Sequence, residues 1–322
     1  MKVIKGIENL RGQFQNPVLT IGNFDGVHMG HQKIIKRVLE AKKRHRSTAV
    51  ALTFDPHPIK ALYPERGVRI LTPTEEKARL MAHYGIDALV LANFDREFAS
   101  IHPDDFIRRI LVEGLGVKEV IVGHNYSFGK GKKGTTALLR RQGAQFGFGV
   151  NVVRNAVLYG DVVSSSRIRS LLGRGRVCEA SLFLGRPYMI KGIVVKGAGR
   201  GARLLGTPTA NIATRNELIP REGVYAVKVR LDGAIYGGVA NIGRNPTFQP
   251  ISQKNAEVPP SYEVHILNFS GDILGMSIEL FFIDRIRDEK VFPDKDSLAG
   301  QIKRDIDRAR EILQKKKHLP IV

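Results

Sequence analysis

Over the first 185 residues, short apolar runs alternate with longer stretches in which apolar positions recur every three or four residues. The runs at 18–21, 48–54, 88–91, 120–122 and 150–153 predict strands. Between them, 32–43 carries Ile34, Ile35, Val38 and Leu39 on one face and predicts a helix. So do 75–84 and 104–113, the second opening on His102-Pro103-Asp104. Strands alternating with helices need crossover connections, so this half predicts an α/β domain with a mainly parallel sheet and ligands at the carboxyl ends of its strands.

Past Arg186-Pro187 the rhythm changes to short alternating runs separated by glycines, at 190–195, 224–231, 234–241, 262–267 and 277–283. Asp232-Gly233 and Ser270-Gly271-Asp272 read as hairpin turns, because those residues accept the left-handed backbone of tight turns. This half predicts a small antiparallel barrel. It closes with a long amphipathic helix near 297–315, whose Leu298, Ile302, Ile306, Ala309 and Leu313 form one apolar stripe suited to core packing. The change of period divides the chain into domains at 1–185 and 186–322.

A length of 322 residues with 43% hydrophobic content is enough for two cores. No apolar run approaches the roughly 20 residues of a bilayer span. Met1-Lys2-Val3-Ile4-Lys5-Gly6 lacks the apolar segment of a secretory signal, and the single Cys178 forms no internal disulfide. The expectation is a soluble cytoplasmic protein with no membrane partner. Its 51 basic against 31 acidic residues give a charge of +20, which attracts anions such as polyphosphate nucleotides or nucleic acid. The basic residues are scattered, and the densest clusters, Lys42-Lys43-Arg44-His45-Arg46 and Lys315-Lys316-Lys317, fall at helix ends favoured by the macrodipole. That distribution favours nucleotides over nucleic acid; nothing in the pattern indicates an oligomeric state.

The strongest N-terminal feature is Gly22-Asn23-Phe24-Asp25-Gly26-Val27-His28-Met29-Gly30-His31, where a strand ends and a helix begins. Glycines there let backbone approach a phosphate, and a helix N-terminus offers N–H groups and partial positive charge. His28 and His31 could stabilise charge developing at an attacked α-phosphate. The same residues would also serve as a glycine turn with two surface histidines. Further on, Val163-Ser164-Ser165-Ser166-Arg167-Ile168-Arg169 supplies hydroxyls and guanidiniums that could grip a triphosphate, or a simple helix cap.

In the second half, Gly197-Ala198-Gly199-Arg200-Gly201 is a basic glycine-rich loop, suited to a flap over a nucleotide or to a plain connection. It leads to Pro208-Thr209-Ala210-Asn211, where Thr209 and Asn211 alternate along an extended segment and direct hard oxygen atoms to one face. Oxygens of that kind suit Mg²⁺ bridging ATP phosphates, while a bare β-edge pair uses the same spacing. Glu263, inside a strand-like run, could take a proton from a substrate hydroxyl or form a cross-strand ion pair.

The first 185 residues resemble the nucleotidylyltransferase module of prokaryotic FAD synthetases: in the Gly22 to His31 loop, in Thr53-Phe54-Asp55-Pro56-His57-Pro58, in Gly123-His124-Asn125-Tyr126-Ser127-Phe128-Gly129, and in Val163 to Arg169. The resemblance implies a Rossmann-like fold. It also implies ATP held by Gly22, Phe24, Asp25, Gly30, the two histidines, Ser164, Ser165, Ser166 and Arg169 while FMN attacks the α-phosphate. Many members carry Asp-Phe where this chain has Asn125-Tyr126; Asn125 is the expected flavin contact. Residues near 187–314 are similar to riboflavin kinases in Pro208-Thr209-Ala210-Asn211, Gly223-Val224-Tyr225, Asn241-Ile242-Gly243, Glu263 and Arg287-Asp288-Glu289-Lys290. That likeness implies a six-stranded antiparallel barrel with a terminal helix. It implies nucleotide at Gly197 and Gly201, nucleotide and metal at Thr209 and Asn211, flavin at Arg287, and Glu263 as base for the ribityl 5′-hydroxyl.

Together the two resemblances imply an enzyme that converts riboflavin to FMN and FMN to FAD, with ATP and Mg²⁺. Two alternatives stay open at this point. One is a kinase whose adenylyltransferase is weakened at Asn125-Tyr126; the other is an RNA-binding or regulatory protein on the same scaffold.

Overall fold

The computed structural model describes residues 1–8, 10–196, 209–243 and 261–322. It forms two compact units, Met1–Ser165 and Ser166–Val322. The first holds a six-stranded sheet in the order β1-β4-β3-β2-β5-β6, whose paired strands all run parallel. Its strands are β1 (Lys2–Lys5), β2 (Val18–Ile21), β3 (Ala49–Asp55), β4 (Ala88–Asn93), β5 (Glu119–Gly123) and β6 (Gly149–Val153). All four residues of β2 are buried, as are the first five of β3, which is why these strands read as unbroken apolar runs. The exposed, lysine-flanked β1 at the edge carries too little apolar signal to be found from sequence.

Helices α1 (Met29–His45), α2 (Pro58–Leu62), α3 (Thr74–His83), α4 (Arg96–Ser100), α5 (Pro103–Asp105) and α6 (Thr136–Phe146) connect the strands. The helix expected at 104–113 is wound as a π-helix over Phe106–Gly114, with Phe106, Ile107, Ile110 and Leu111 buried. The sheet grows from β2 to β3 and β4 on one side and to β5 and β6 on the other. Its direction of growth therefore reverses between β2 and β5, and the crevice at their carboxyl ends is where such sheets take ligands. The short β7 (Val157–Leu158) and β8 (Asp161–Val162) follow as a separate pair.

In the second unit, β9 (Tyr188–Val195), β10 (Ala210–Thr214), β11 (Gly223–Leu231), β12 (Ala234–Gly243), β13 (Ser261–Ile266) and β14 (Ser277–Arg287) close into a barrel. Its neighbours pair antiparallel in the order β10-β13-β12-β11-β14-β9. Asp232 and Gly233 join β11 to β12 with φ of 46° and 77°, a two-residue turn of the kind the sequence predicts. The hairpin expected at Ser270-Gly271-Asp272 is not one. The strands it joins, β13 and β14, are not neighbours in the barrel, and the left-handed residues of that connection are Asn268 and Gly275.

Helices α7 (Ser165–Gly173) and α8 (Val177–Leu184) precede the barrel. The Arg221 N–H donates to Leu172 O at 3.0 Å, and Lys316 Nζ reaches Cys178 Sγ at 2.8 Å and Asp284 Oδ2 at 2.7 Å. These bonds tie α7 and α8 to the barrel, so the unit boundary falls before the change of strand period. The terminal helix α9 (Lys295–Lys315) packs Ala309 and Ile312 on Ala226 and Ile283. Its third buried residue is Asp305, so the buried line is turned slightly from the apolar stripe of the sequence. A partner on the barrel explains why a carboxylate lies there.

Candidate active sites

The N-terminal loop leaves β2 at Gly22 and enters α1 at Met29. Phe24, Gly26 and Val27 take φ of 49°, 87° and 40°, so two residues with side chains sit in the left-handed region. Each such residue costs about 1–3 kcal/mol and persists only where its surroundings over-determine it. Here Phe24 and Val27 are fully buried. Asp25 Oδ1 accepts the backbone N–H groups of Leu71 and Thr72 at 2.9 and 3.2 Å. Gln32 Nε2 donates to Val27 O at 2.9 Å, and Ser165 Oγ donates to Asp25 O at 2.9 Å, which brings the serine segment onto the loop. A Cβ on Gly30 would stand 3.1 Å from the His28 ring and 3.6 Å from Val163 O, so glycine permits this approach.

His28 occupies the N-cap of α1 with extended backbone and no side-chain capping bond. Its ring stacks on His31, with centroids 3.7 Å apart and planes 16° apart, while Phe24 meets His31 edge-on at 5.2 Å. Both imidazoles line a cavity of about 190 Å³ together with Gly22, Asn125, Tyr126 and Arg154. The cavity opens beside the carboxyl ends of β2 and β5 and gathers a helix N-terminus, two imidazoles and an amide. Phosphate and a hydrogen-bonding ring edge are what such a set can hold. Ser164 is half-buried, Ser166 is exposed, and Arg169 lies half-buried on α7.

Sequence reading missed Lys77. It is buried on α3, and its ammonium approaches Thr53 Oγ1 at 3.4 Å, which in turn donates to Asn23 O at 3.1 Å. Burial pushes the Lys77 ammonium below its usual range, against the opposing pull of Asp25 and Asp55. A lysine on the buried face of a helix with Leu80 and Met81 was the signal available.

In the barrel, Asn211 of β10 lies opposite Glu263 of β13, and Glu263 lies opposite Asn241 of β12. Val224 and then Arg287 continue the row. Ile212, Val264 and Ala240, on the alternate positions, are buried inside the barrel. Val239 and Ala226, which share the parity of Asn241 and Val224, pack against α9, so the polar row lies on the convex face. Thr209 and Asn211 are both half-buried, as is Glu263. Gly197 and Gly201 lie outside the described residues. Arg287 donates from Nε and Nη2 to Asp305 at 2.8 to 3.0 Å, and Gln301 donates to the same carboxylate at 2.8 Å. This ion pair accounts for the buried Asp305 on the packed face of α9. Nearby, a hydrogen bond from Arg285 holds the Asp288 carboxyl below its usual range.

The densest basic clusters are partly neutralised within each unit. Lys42 pairs with Asp87 at 2.7 Å, Arg44 and His45 meet Glu119 at 2.7 and 2.9 Å, and Lys316 meets Asp284. Among the described residues no group of three or more His, Cys, Asp or Glu could hold a metal ion, and no helix is long and apolar enough to cross a membrane.

A family model described as FAD synthetase matches residues 11–167, and one described as Riboflavin kinase matches residues 184–313. The bifunctional riboflavin kinase/FMN adenylyltransferase of Escherichia coli (strain K12) is 37% identical over 313 residues, covering 97% of each chain. The chain belongs to the bifunctional riboflavin kinase/FMN adenylyltransferase family. Its relative in Buchnera aphidicola subsp. Acyrthosiphon pisum is 35% identical over 307 residues, covering 95% of this chain and 96% of that one. The crystal structure of a macrolide-efflux protein from Streptococcus pneumoniae is also similar along the whole chain. It is 29% identical with a TM-score of 0.84, covering 96% of this chain and 99% of that one. Both domains of the bifunctional family are present: the stacked histidines fall within the FAD synthetase match, and Glu263 falls within the riboflavin kinase match.

Proposed function

We propose that the barrel half phosphorylates riboflavin with ATP and that the parallel-sheet half adenylylates the resulting FMN with a second ATP, releasing pyrophosphate and giving FAD. The division of labour is 1–185 for FMN adenylylation and 186–322 for riboflavin phosphorylation. In the kinase step Glu263 takes the proton of the ribityl 5′-hydroxyl, the freed oxygen attacks the γ-phosphorus, and ADP leaves. Thr209 and Asn211 hold the nucleotide on one flank of Glu263. Their two neutral oxygens would hold a divalent cation, which we assign as Mg²⁺ and which would offset phosphate charge.

In the second step an FMN phosphate oxygen attacks the α-phosphorus of ATP. His28, His31 and the first turn of α1 stabilise the charge that develops there, with the serines and Arg169 on the triphosphate. Asn125 takes the flavin. A chain with one cysteine and no described membrane-crossing helix suits the cytosol. The observation that carries the reading is the assembly of Asn211 and Glu263 as direct cross-strand partners, in a half separate from the stacked histidines.

The test is a time course with purified protein, riboflavin, ATP and Mg²⁺, separating FMN from FAD by chromatography. FMN rising first and FAD following is the expected course. FMN that never proceeds to FAD would remove the second step and direct attention to Asn125-Tyr126. No product at all would overturn the reading.

A further inference from the structure

The kinase reading leaves one polar group of the convex row without a task. Asn241 stands opposite Glu263, on the side away from Asn211. Its Oδ1 is buried and has no hydrogen-bond partner among the described residues. Beyond it the row continues to Val224, which has no polar side-chain atom, and to Arg287, whose guanidinium is held by Asp305. Buried acceptors are seldom left unmet, so an orphan beside a reacting carboxylate points to a donor that arrives with the substrate.

What arrives must donate a hydrogen bond. Phosphate oxygens of a nucleotide accept, whereas the polyol chain of riboflavin carries hydroxyls that donate. Adjacent strands lie about 4.8 Å apart, so Asn241 sits one strand spacing from the group that takes the terminal proton. Thr209 and Asn211 lie on the opposite flank, and a convex surface splays outward-pointing side chains apart. Asn241 is therefore left to the substrate flank.

We infer that Asn241 is a specificity residue of the kinase site, its amide oxygen accepting a hydrogen bond from a secondary hydroxyl of the ribityl chain while Glu263 engages the terminal one. This rests on the reading of Glu263 given above. The experiment is a thermodynamic cycle on the full-length protein. It compares kcat/KM for FMN formation by wild type and Asn241→Ala, with riboflavin and with analogues lacking the 3′- or the 4′-hydroxyl.

Wild type should lose about tenfold or more with one analogue, the effect of an ordinary hydrogen bond to a buried acceptor. Asn241→Ala should use that analogue and riboflavin alike within about twofold, the two losses failing to add. Discrimination by Asn241→Ala as strong as that of wild type overturns the proposal, as does a wild type indifferent to both analogues. A purely structural role for Asn241 would lower the rate on every substrate and leave the discrimination intact.

Calorimetry, in which the transition of the barrel half stays in place, checks that the variant is folded. If Asn241→Ala fails that check, Asn241→Leu, near in volume and unable to accept, replaces it in the cycle. Glu263→Gln separates the two readings. Unchanged FMN formation in that variant sinks the assignment of the whole row, whereas its loss together with retained discrimination in the Asn241 variant sinks the role of Asn241 alone.

Discussion

In the parallel-sheet half the candidate site is made by one turn of chain, whereas in the barrel half it is made by strands lying side by side. Gly22, Phe24, Asp25, His28, Gly30 and His31 come from a single strand–helix junction, and Asn125, Tyr126, Arg154 and Ser165 join them from afar. Asn211, Glu263 and Asn241 come from three strands and meet only because the barrel register aligns them. The first kind of site depends on backbone held in unfavourable conformations by a buried surround. The second depends on register, where a slip of one residue would turn every side chain to the other face.

The sharpest way to break this contrast is to remove one residue from each site. Asn211→Ala should lower FMN formation by about a thousandfold, comparable to the loss of other transition-state contacts, while FAD formation from added FMN persists. His31→Ala should do the reverse, lowering FAD formation about a hundredfold or more with kinase activity kept. Separate assays of the two half-reactions measure both. Loss of both activities in either well-folded variant would mean that the sites are not independent.

A smaller effect concerns stability in the barrel half. Arg287→Ala would leave the Asp305 carboxylate buried without its guanidinium, and should destabilise the barrel by about 3–5 kcal/mol. Calorimetry should show the transition of that half falling, with the N-terminal half unmoved. A loss of flavin affinity at unchanged stability would instead favour the flavin contact that the sequence reading gave Arg287.

The smallest expected effect sharpens the N-terminal side. Tyr126 Oη is buried with no partner among the described residues, and burial pushes its phenol above the ordinary range. Tyr126→Phe should therefore leave folding unharmed or stabilise it by about 1 kcal/mol, read from denaturant unfolding of the ligand-free protein. A clear loss of stability would show that the hydroxyl has a partner in the fold.

The sequence by itself determined the two halves and most of their elements, because apolar runs and amphipathic periods record burial directly. The strands at 18–21 and 234–241, and the turn at Asp232-Gly233, were legible for that reason. The histidine loop was legible too, since its residues are neighbours in the chain and its glycines mark the turn. Tertiary structure decided the rest. That β13 and β14 are not paired, that Arg287 meets Asp305, and that Asn241 stands beside Glu263 are facts of barrel closure and register. Spacing along one chain cannot encode which strands become neighbours, because that choice is made by burying both faces of a sheet at once.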